Sequence, residues 1–231
     1  MKNKKAVVLM SGGMDSAVTT AIAIHKGFQV FALHLNYGQR TQYREKKAFS
    51  DLVKYFGISE LLEVDVSYFS QIGNSSLTDK KIEITTSLQI SSSDTQCSNE
   101  IPSSYVPFRN GNILAIATSW AETINANAIF IGAMQLDYSG YPDCRREFFD
   151  AFEQAINLGT KPETKLKIIT PIINFTKKDV VLKGKQLGVP FELTWSCYKD
   201  EDKACGVCDS CLLRLRGFEQ ARIIDPIKYK K

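Results

Sequence analysis

Residues 6–18 read AVVLMSGGMDSAV, and the fold turns on how that run is parsed. Ala6, Val7, Val8, Leu9 and Met10 form a continuous apolar, partly β-branched run. That is the pattern of a short strand buried on both faces, as in a parallel sheet. Residues 17–26 are helix formers closed by Gly27. Between them stand Ser11, Gly12, Gly13, Met14, Asp15 and Ser16. At a strand-to-helix turn, small residues let backbone N–H groups come close to a ligand, and the helix N-terminus adds unpaired donors and the positive end of a dipole. Ser11 and Ser16 contribute hydroxyls. Asp15 would repel a bare phosphate, so its presence implies a cation such as Mg²⁺ and hence a metal–nucleotide ligand. A glycine pair alone would be only a turn leading into a helix; the whole hexad at the first βα junction reads as a phosphate site. It is not G-x-x-x-x-G-K-[ST], which occurs nowhere in the chain, nor is it G-x-G-x-x-G.

Working outward, FQVFALHLNYG (28–38) supplies a second strand over residues 29–35, TQYREKKAFSDLVKYFGI (41–58) a second helix, and LLEVDV (61–66) a third strand. On that helix Ala48, Leu52, Val53 and Phe56 share one face, and Gly57 ends it. This alternation predicts an α/β fold with a doubly wound, mostly parallel sheet and right-handed crossovers. Regularity fails over residues 70–104, which are rich in Ser, Thr, Asn and Asp; such a stretch reads equally as a lid that orders on a ligand or as an insert without a role. Periodicity resumes with Ile113, Ile116, Ala117, Trp120 and Ile124, with Asn112 as the expected N-cap. AIFIGA (128–133) holds the next buried strand, residues 128–131 ending in Gly132; residues 148–158 read as a helix, KLKIITPII (165–173) as a strand interrupted at Pro171, and residues 176–187 as a helix capped by Thr176.

The bulk properties exclude several classes. With 231 residues, 44% of them hydrophobic and 23% charged, the chain fits a soluble globular protein with a sizeable core. Its net charge of +4 is too mild for a nucleic-acid groove, and Lys228, Lys230 and Lys231 read as a solvated tail. Lys2, Lys4 and Lys5 imitate the start of an export signal, but the apolar run behind them falls short of the roughly 7–15 residues such a signal needs. No run approaches the ~18 apolar residues of a membrane span. A cytoplasmic protein is expected, in which clustered cysteines hold metal or do chemistry.

Four of the six cysteines are grouped as Cys197, Cys205, Cys208 and Cys211, a C-x7-C-x2-C-x2-C pattern. Four sulfurs with no histidine nearby make a closed tetrahedral set, the pattern of a structural Zn²⁺ that staples a C-terminal segment; an iron–sulfur cluster is the competitor. Cys97 lies in the serine-rich insert and reads as incidental. Cys144 lies in LDYSGYPDCRREF (136–148), a polar stretch that follows the AIFIGA strand and so falls at the C-terminal edge of the sheet, where α/β ligands bind. Asp137, Tyr138, Ser139, Tyr141, Asp143 and Arg145 would then share a crevice with the hexad.

The hexad resembles the PP-loop of the ATP pyrophosphatase superfamily. With NYGQR (36–40), YVPFRN (105–110), DYSGYPDCR (137–145) and the four-cysteine stretch following in order over nearly the whole chain, the sequence is similar to the 7-cyano-7-deazaguanine synthase family of the queuosine pathway. The resemblance implies a Rossmann-like PP-loop domain over residues 1–190, carrying the 70–104 insert, and a four-cysteine segment over residues 191–231. It implies activation of 7-carboxy-7-deazaguanine by ATP to an acyl-adenylate, displacement of AMP by ammonia to give an amide, and a second adenylation that leaves a nitrile, with AMP and pyrophosphate released. In that reading Leu9, Met10, Ser11, Gly12, Gly13, Met14, Asp15 and Ser16 hold ATP, Leu33 and His34 lie against adenosine, and Ser11, Asp15, Ser16 and Arg109 serve catalysis. Arg109, Asn110, Asp137, Tyr138, Ser139, Tyr141, Asp143 and Arg145 would meet the deazapurine and its carboxylate, Arg by a bidentate grip. ATP, Mg²⁺ and one structural Zn²⁺ are the implied cofactors, and a homodimer the implied assembly, with neither nucleic acid nor membrane as partner.

Two positions depart from the family pattern. Asn36 stands where the family often has an acid, so no acid or metal role is assigned there. Phe108 stands where the family often has Gly before the arginine; its ring either reshapes the pocket mouth or packs. His25, late in the first helix, reads as solvated or capping. Other readings are an adenylating ligase that joins the deazaguanine acid to another amine, a protein's included, a tRNA thiolase using Cys144, and a non-catalytic nucleotide-binding module.

Overall fold

The computed structural model describes residues 4–84, 101–135 and 140–230. Five parallel strands, β1 (Lys5–Leu9), β2 (Gln29–Asn36), β3 (Glu60–Asp65), β4 (Ala128–Phe130) and β5 (Lys167–Ile169), lie in the order β3-β2-β1-β4-β5. The helices are α1 (Met14–His25), α2 (Gln42–Tyr55), α3 (Phe69–Ile72), α4 (Arg109–Thr123), α5 (Arg146–Gly159), α6 (Lys177–Gln186) and α7 (Asp209–Gln220).

Side chains alternate across a strand, and both faces of β1 are covered. Ala6, Val8 and Met10 pack with residues of α1, α2 and α6, whereas Val7 and Leu9 pack with α4 and α5. None of the five is more than 8% exposed, which is why the run is apolar without alternation. The doubly wound parallel sheet expected from the sequence is the one observed. The order reverses between β1 and β4, and in open α/β sheets ligands bind in the crevice beyond the strand ends at such a point.

Several local expectations need correcting. Helix α1 begins at Met14 rather than at residue 17, which places Asp15 and Ser16 in its first turn. Helix α4 begins at Arg109, so Asn112 is not its N-cap. Phe108 precedes it in the left-handed region (φ 53°), the Asn110 N–H donates to Asp143 Oδ2 at 2.9 Å, and Asn112 Nδ2 donates back to the Phe108 carbonyl at 3.0 Å. One N–H at this helix end is therefore satisfied from another segment, which periodicity could not show. The strand expected over 165–173 shortens to β5, because Pro171 cannot donate to a ladder. Thr176 caps α6 as expected, in a reciprocal box with Asp179.

The described part of the 70–104 stretch is packed. Leu77 and Ile84 are buried, and Arg40 Nη2 donates to the carbonyls of Asp79 (2.8 Å) and Ile82 (2.6 Å). Residues 85–100, with Cys97, lie outside the described residues. The basic tail is not free either: the Ala204 N–H donates to Lys228 O at 2.9 Å and the Lys230 N–H to Ala204 O at 2.8 Å, which pins it to the cysteine-rich turn.

Candidate active site

Beyond the C-terminal ends of β1, β2 and β4 lies a cavity of about 290 Å³. Of the residues singled out from the sequence, Leu9, Met10, Ser11, Gly13, Met14, Asp15, Ser16, Leu33, Arg109, Asn110 and Tyr141 line it, and so does Cys144. One end is the hexad. Gly13 precedes α1 without any side-chain cap, so the first-turn N–H groups, which no helix can satisfy internally, are left to a ligand. Ser16 Oγ donates to the Gly13 carbonyl at 2.9 Å and lies 3.3 Å from Ser11 Oγ, fixing both hydroxyls. Asp15 Oδ2 accepts from Lys177 Nζ at 2.7 Å, while Asp15 Oδ1 is buried with no hydrogen-bond partner among the described residues. A buried carboxylate oxygen left without a partner at the wall of this cavity fits a hard cation.

Gly12 does not line the cavity. It has φ +86°, and a Cβ there would stand 2.6 Å from the Glu45 carbonyl oxygen. Its task is to let the loop lie against α2, which only a glycine in this conformation permits. Gly132 does the same for the other flank, where a Cβ would stand 2.9 Å from Thr19 Oγ1 and 3.0 Å from the Asp15 carbonyl oxygen.

The other end is built around Arg109. Its Nη1 donates to Tyr37 Oη at 3.1 Å, and its guanidinium lies 5.2 Å over the Tyr37 ring centre. Burial works against the arginine charge, but Tyr37, Tyr141 and Asp143 around it outweigh burial and raise its pKa. Burial also pushes the phenols of Tyr37, Tyr141 and Tyr198 above their ordinary range, so the ring of hydroxyls stays neutral around one fixed cation. Such a pocket suits a planar carboxylate.

Some expected residues are not brought to this cavity. His34 is 1% exposed on the opposite face of β2; its Nδ1 is 2.8 Å from the Met10 carbonyl and its ring stacks on Phe49. Strand alternation sends Leu33 and Leu35 inward to the site and His34 away from it. Asp143 is buried behind Asn110, accepting its N–H and, at the backbone carbonyl, its Nδ2 at 3.0 Å. Arg145 is exposed at the head of α5. Asp137, Tyr138 and Ser139 lie outside the described residues. Phe108 is half exposed, covers Gly111 and meets Phe148 edge-on at 5.8 Å, so its ring packs.

Sequence reasoning missed other wall residues: Tyr37, Glu45, Lys177, Trp195, Ser196, Tyr198 and Arg214. Tyr37 and Glu45 sit in and just beyond the NYGQR stretch, whose polar density beside a strand end was the available signal. Lys177 and Arg214 carry no local signal, since lysine and arginine on amphipathic helices usually face water. Arg214 is 1% exposed, forms a two-point pair with Asp225 (2.7 and 2.9 Å) and donates to Thr194 Oγ1 at 2.7 Å. Trp195 donates its backbone N–H to the Gly12 carbonyl at 2.9 Å, and Arg44 stacks over its ring at 4.4 Å.

The four grouped cysteines converge. Their Sγ atoms lie within 4.8 Å of one another, and Cys205 Sγ is 3.9 Å from Cys211 Sγ. A tetrahedral Zn²⁺ with bonds of about 2.3 Å needs sulfurs about 3.8 Å apart, so the donor set fits that ion. Backbone N–H groups of Lys199, Asp200 and Cys205 donate to Cys197 Sγ, and those of Val207 and Cys208 to Cys205 Sγ. Hydrogen bonds from the Cys208 and Cys211 thiols, followed by these amides, hold Cys197 well below the ordinary thiol range.

The chain is similar to known proteins over nearly its whole length. The family model described as queuosine biosynthesis protein QueC matches residues 5–222. A protein named 7-cyano-7-deazaguanine synthase from Chlorobium phaeobacteroides is 57% identical over 227 residues, covering 98% of this chain and 97% of its own. Proteins of the same name from Chloroherpeton thalassium (57% identical; 98% and 97% covered) and Campylobacter curvus (51%; 98% and 98%) align over 226 residues. Among solved structures, a 4-thiouridine synthetase in complex with RNA and bound ATP superposes with a TM-score of 0.52 at 20% identity, over 94% of this chain and half of that one, a likeness of fold. A family match over almost the entire chain, together with relatives more than half identical end to end, means that the chain belongs to the QueC family of queuosine biosynthesis proteins.

Proposed function

We propose that the chain is an ATP-dependent synthase that converts 7-carboxy-7-deazaguanine and ammonia to 7-cyano-7-deazaguanine. The observation that carries this reading is one cavity with an anion site at each end, the Ser11–Ser16 loop at one and Arg109 with its tyrosines at the other. The substrate carboxylate comes to Arg109 and the ATP phosphates to the loop, so the carboxylate oxygen faces the α-phosphate. Loop N–H groups hold the departing pyrophosphate, stabilising charge that grows in the transition state. Mg²⁺ neutralises phosphate charge when bound, and the unpartnered Asp15 Oδ1 supports its place there. Lys177, already on Asp15, adds a second positive charge at the phosphate end. The apolar flanks Leu33, Leu35, Ile113 and Ile131 suit the flat faces of two heterocycles and exclude water from the acyl-adenylate.

The proposal includes a structural Zn²⁺ on Cys197, Cys205, Cys208 and Cys211, which leaves no position open for catalysis. It treats residues 191–231 as a segment stapled by that ion onto an ATP-binding domain of residues 1–190. A cytoplasmic homodimer is part of the same reading, supported by the family; among the described residues no helix is long and apolar enough to cross a membrane.

The test is mass spectrometry of the purified protein with ATP, Mg²⁺, ammonium and 7-carboxy-7-deazaguanine. The nitrile together with AMP and pyrophosphate is expected. AMP without nitrile, or the acid attached to protein, would overturn the choice of ammonia as acceptor.

A further inference from the structure

The nitrogen chemistry proposed above releases protons that something must accept. Ammonium brings four hydrogens and the amide nitrogen keeps two; the nitrile nitrogen keeps none. The chain has two histidines, and neither lines the cavity: His34 is turned to the far side of β2, and His25 is exposed at the distal end of α1. Among the described wall residues the carboxylates are Asp15, already ion-paired with Lys177, and Glu45.

Glu45 stands in the first turn of α2. Its backbone carbonyl is the group that presses on Gly12, so its Cα adjoins the phosphate loop. Its side chain is held at both oxygens: Thr41 Oγ1 donates to Oε1 at 2.8 Å and Gln39 Nε2 donates to Oε2 at 3.1 Å. Gln39 is itself fixed, because its Oε1 accepts the Tyr37 N–H at 2.9 Å, next to the phenol that Arg109 grips. Glu45 thus adjoins the phosphate loop through its backbone carbonyl, and its carboxylate is linked through Gln39 to the Tyr37–Arg109 pair. We propose that Glu45 is the proton acceptor for the nitrogen nucleophile at this junction, a deepening that rests on the synthase reading.

In the first round the ammonium nitrogen gives a proton to Glu45, its freed lone pair attacks the acyl carbon, and the carbon–oxygen bond to AMP breaks with its electron pair leaving on AMP. The second proton leaves as the tetrahedral centre collapses to the amide. In the second round the amide oxygen attacks the α-phosphorus, pyrophosphate departs, and nitrogen gives up one proton. Loss of AMP together with the last N–H proton leaves the nitrile. Between transfers Glu45 returns its proton to water. Burial, partly offset by the Thr41 and Gln39 hydrogen bonds and by Arg109, and reinforced by Glu201, pushes its carboxyl up to about 7, where a group can both take and release a proton at neutral pH.

The test compares wild type, Glu45→Gln and Glu45→Asp with ammonium and with hydroxylamine as acceptor. Hydroxylamine is largely unprotonated at neutral pH and needs no base to attack an acyl-adenylate. The Gln variant should form hydroxamate at nearly the wild-type rate but lose about a hundredfold or more in ammonium-dependent turnover. The wild type is expected to show a pH limb near 7 in kcat/KM that the Gln variant lacks, and Asp should restore part of the rate. Equal loss with both acceptors would mean that Glu45 only supports the loop, and full retention with ammonium would remove it from the chemistry; either overturns the proposal. Failure of the wild type itself to make hydroxamate or nitrile from the acid would instead strike the synthase reading.

Discussion

At the hexad end of the cavity most of the ligand-facing groups come from one short run, the backbone N–H and small side chains of Ser11, Gly13, Met14, Asp15 and Ser16, joined by Lys177, whereas at the Arg109 end they are long side chains brought by four separate stretches. The first kind of site is inseparable from the fold. Its donors point where the chain points, and its glycines are needed because Gly12 and Gly132 let neighbouring elements touch. The second kind hangs on a finished fold: Arg109, Tyr37, Tyr141 and Tyr198 could each change without moving a strand. Damage to the first should therefore appear in stability and in ATP use together, and damage to the second in recognition of the acid alone.

Substitutions can break or sharpen this contrast. The largest effect is expected from Asp15→Ala, which should lower pyrophosphate release about 10³-fold, the scale of losing a main electrostatic group, with metal content unchanged. Gly12→Ala should cost about 2–5 kcal/mol of stability in denaturant titrations, from left-handed backbone strain plus the clash with the Glu45 carbonyl. A normal unfolding midpoint there would erase the claim that the loop and the fold are one. Glu45 belongs to both ends, and pH reads it. Burial raises its pKa to about 7, so between about pH 5 and 7 the folded chain keeps a proton that the unfolded chain has lost. The stability it contributes is fully present below the ordinary carboxylate range and fades as pH rises through 7. Glu45→Gln removes that slope, so its stability relative to wild type should rise by about 2 kcal/mol from pH 5 to 8. Arg109→Lys keeps the charge but loses the two-point grip, and should raise KM for the acid about tenfold to thirtyfold while leaving KM for ATP unchanged. Arg145→Ala, at an exposed position outside the cavity, should change turnover less than about twofold, within the scatter of surface substitutions; a large loss would add Arg145 to the side-chain end.

The same contrast explains what could be read before any coordinates. The strand, the hexad and the four cysteines are contiguous, so residue types at fixed spacing spell out their chemistry, and the alternation of elements along the first third carries the sheet. Assembled features were less legible. Lys177 and Trp195 reach the loop from parts of the chain that only tertiary packing brings near. His34 was misplaced because a strand buried on both faces hides which parity faces the ligand, and the start of α4 was missed because its cap is Asp143, supplied from another segment.

The hydrogen bond from the Trp195 N–H to the Gly12 carbonyl joins a stretch of chain to one that leaves the ribosome much later. The strands beneath the loop can pair early, but the loop's outer support arrives only when the cysteine-rich segment has emerged and, in the reading proposed above, taken its ion. Contacts this distant in sequence form late. During synthesis the phosphate site would therefore wait on metal supply, and a cell short of that ion should accumulate chains with a paired sheet and an unfinished loop.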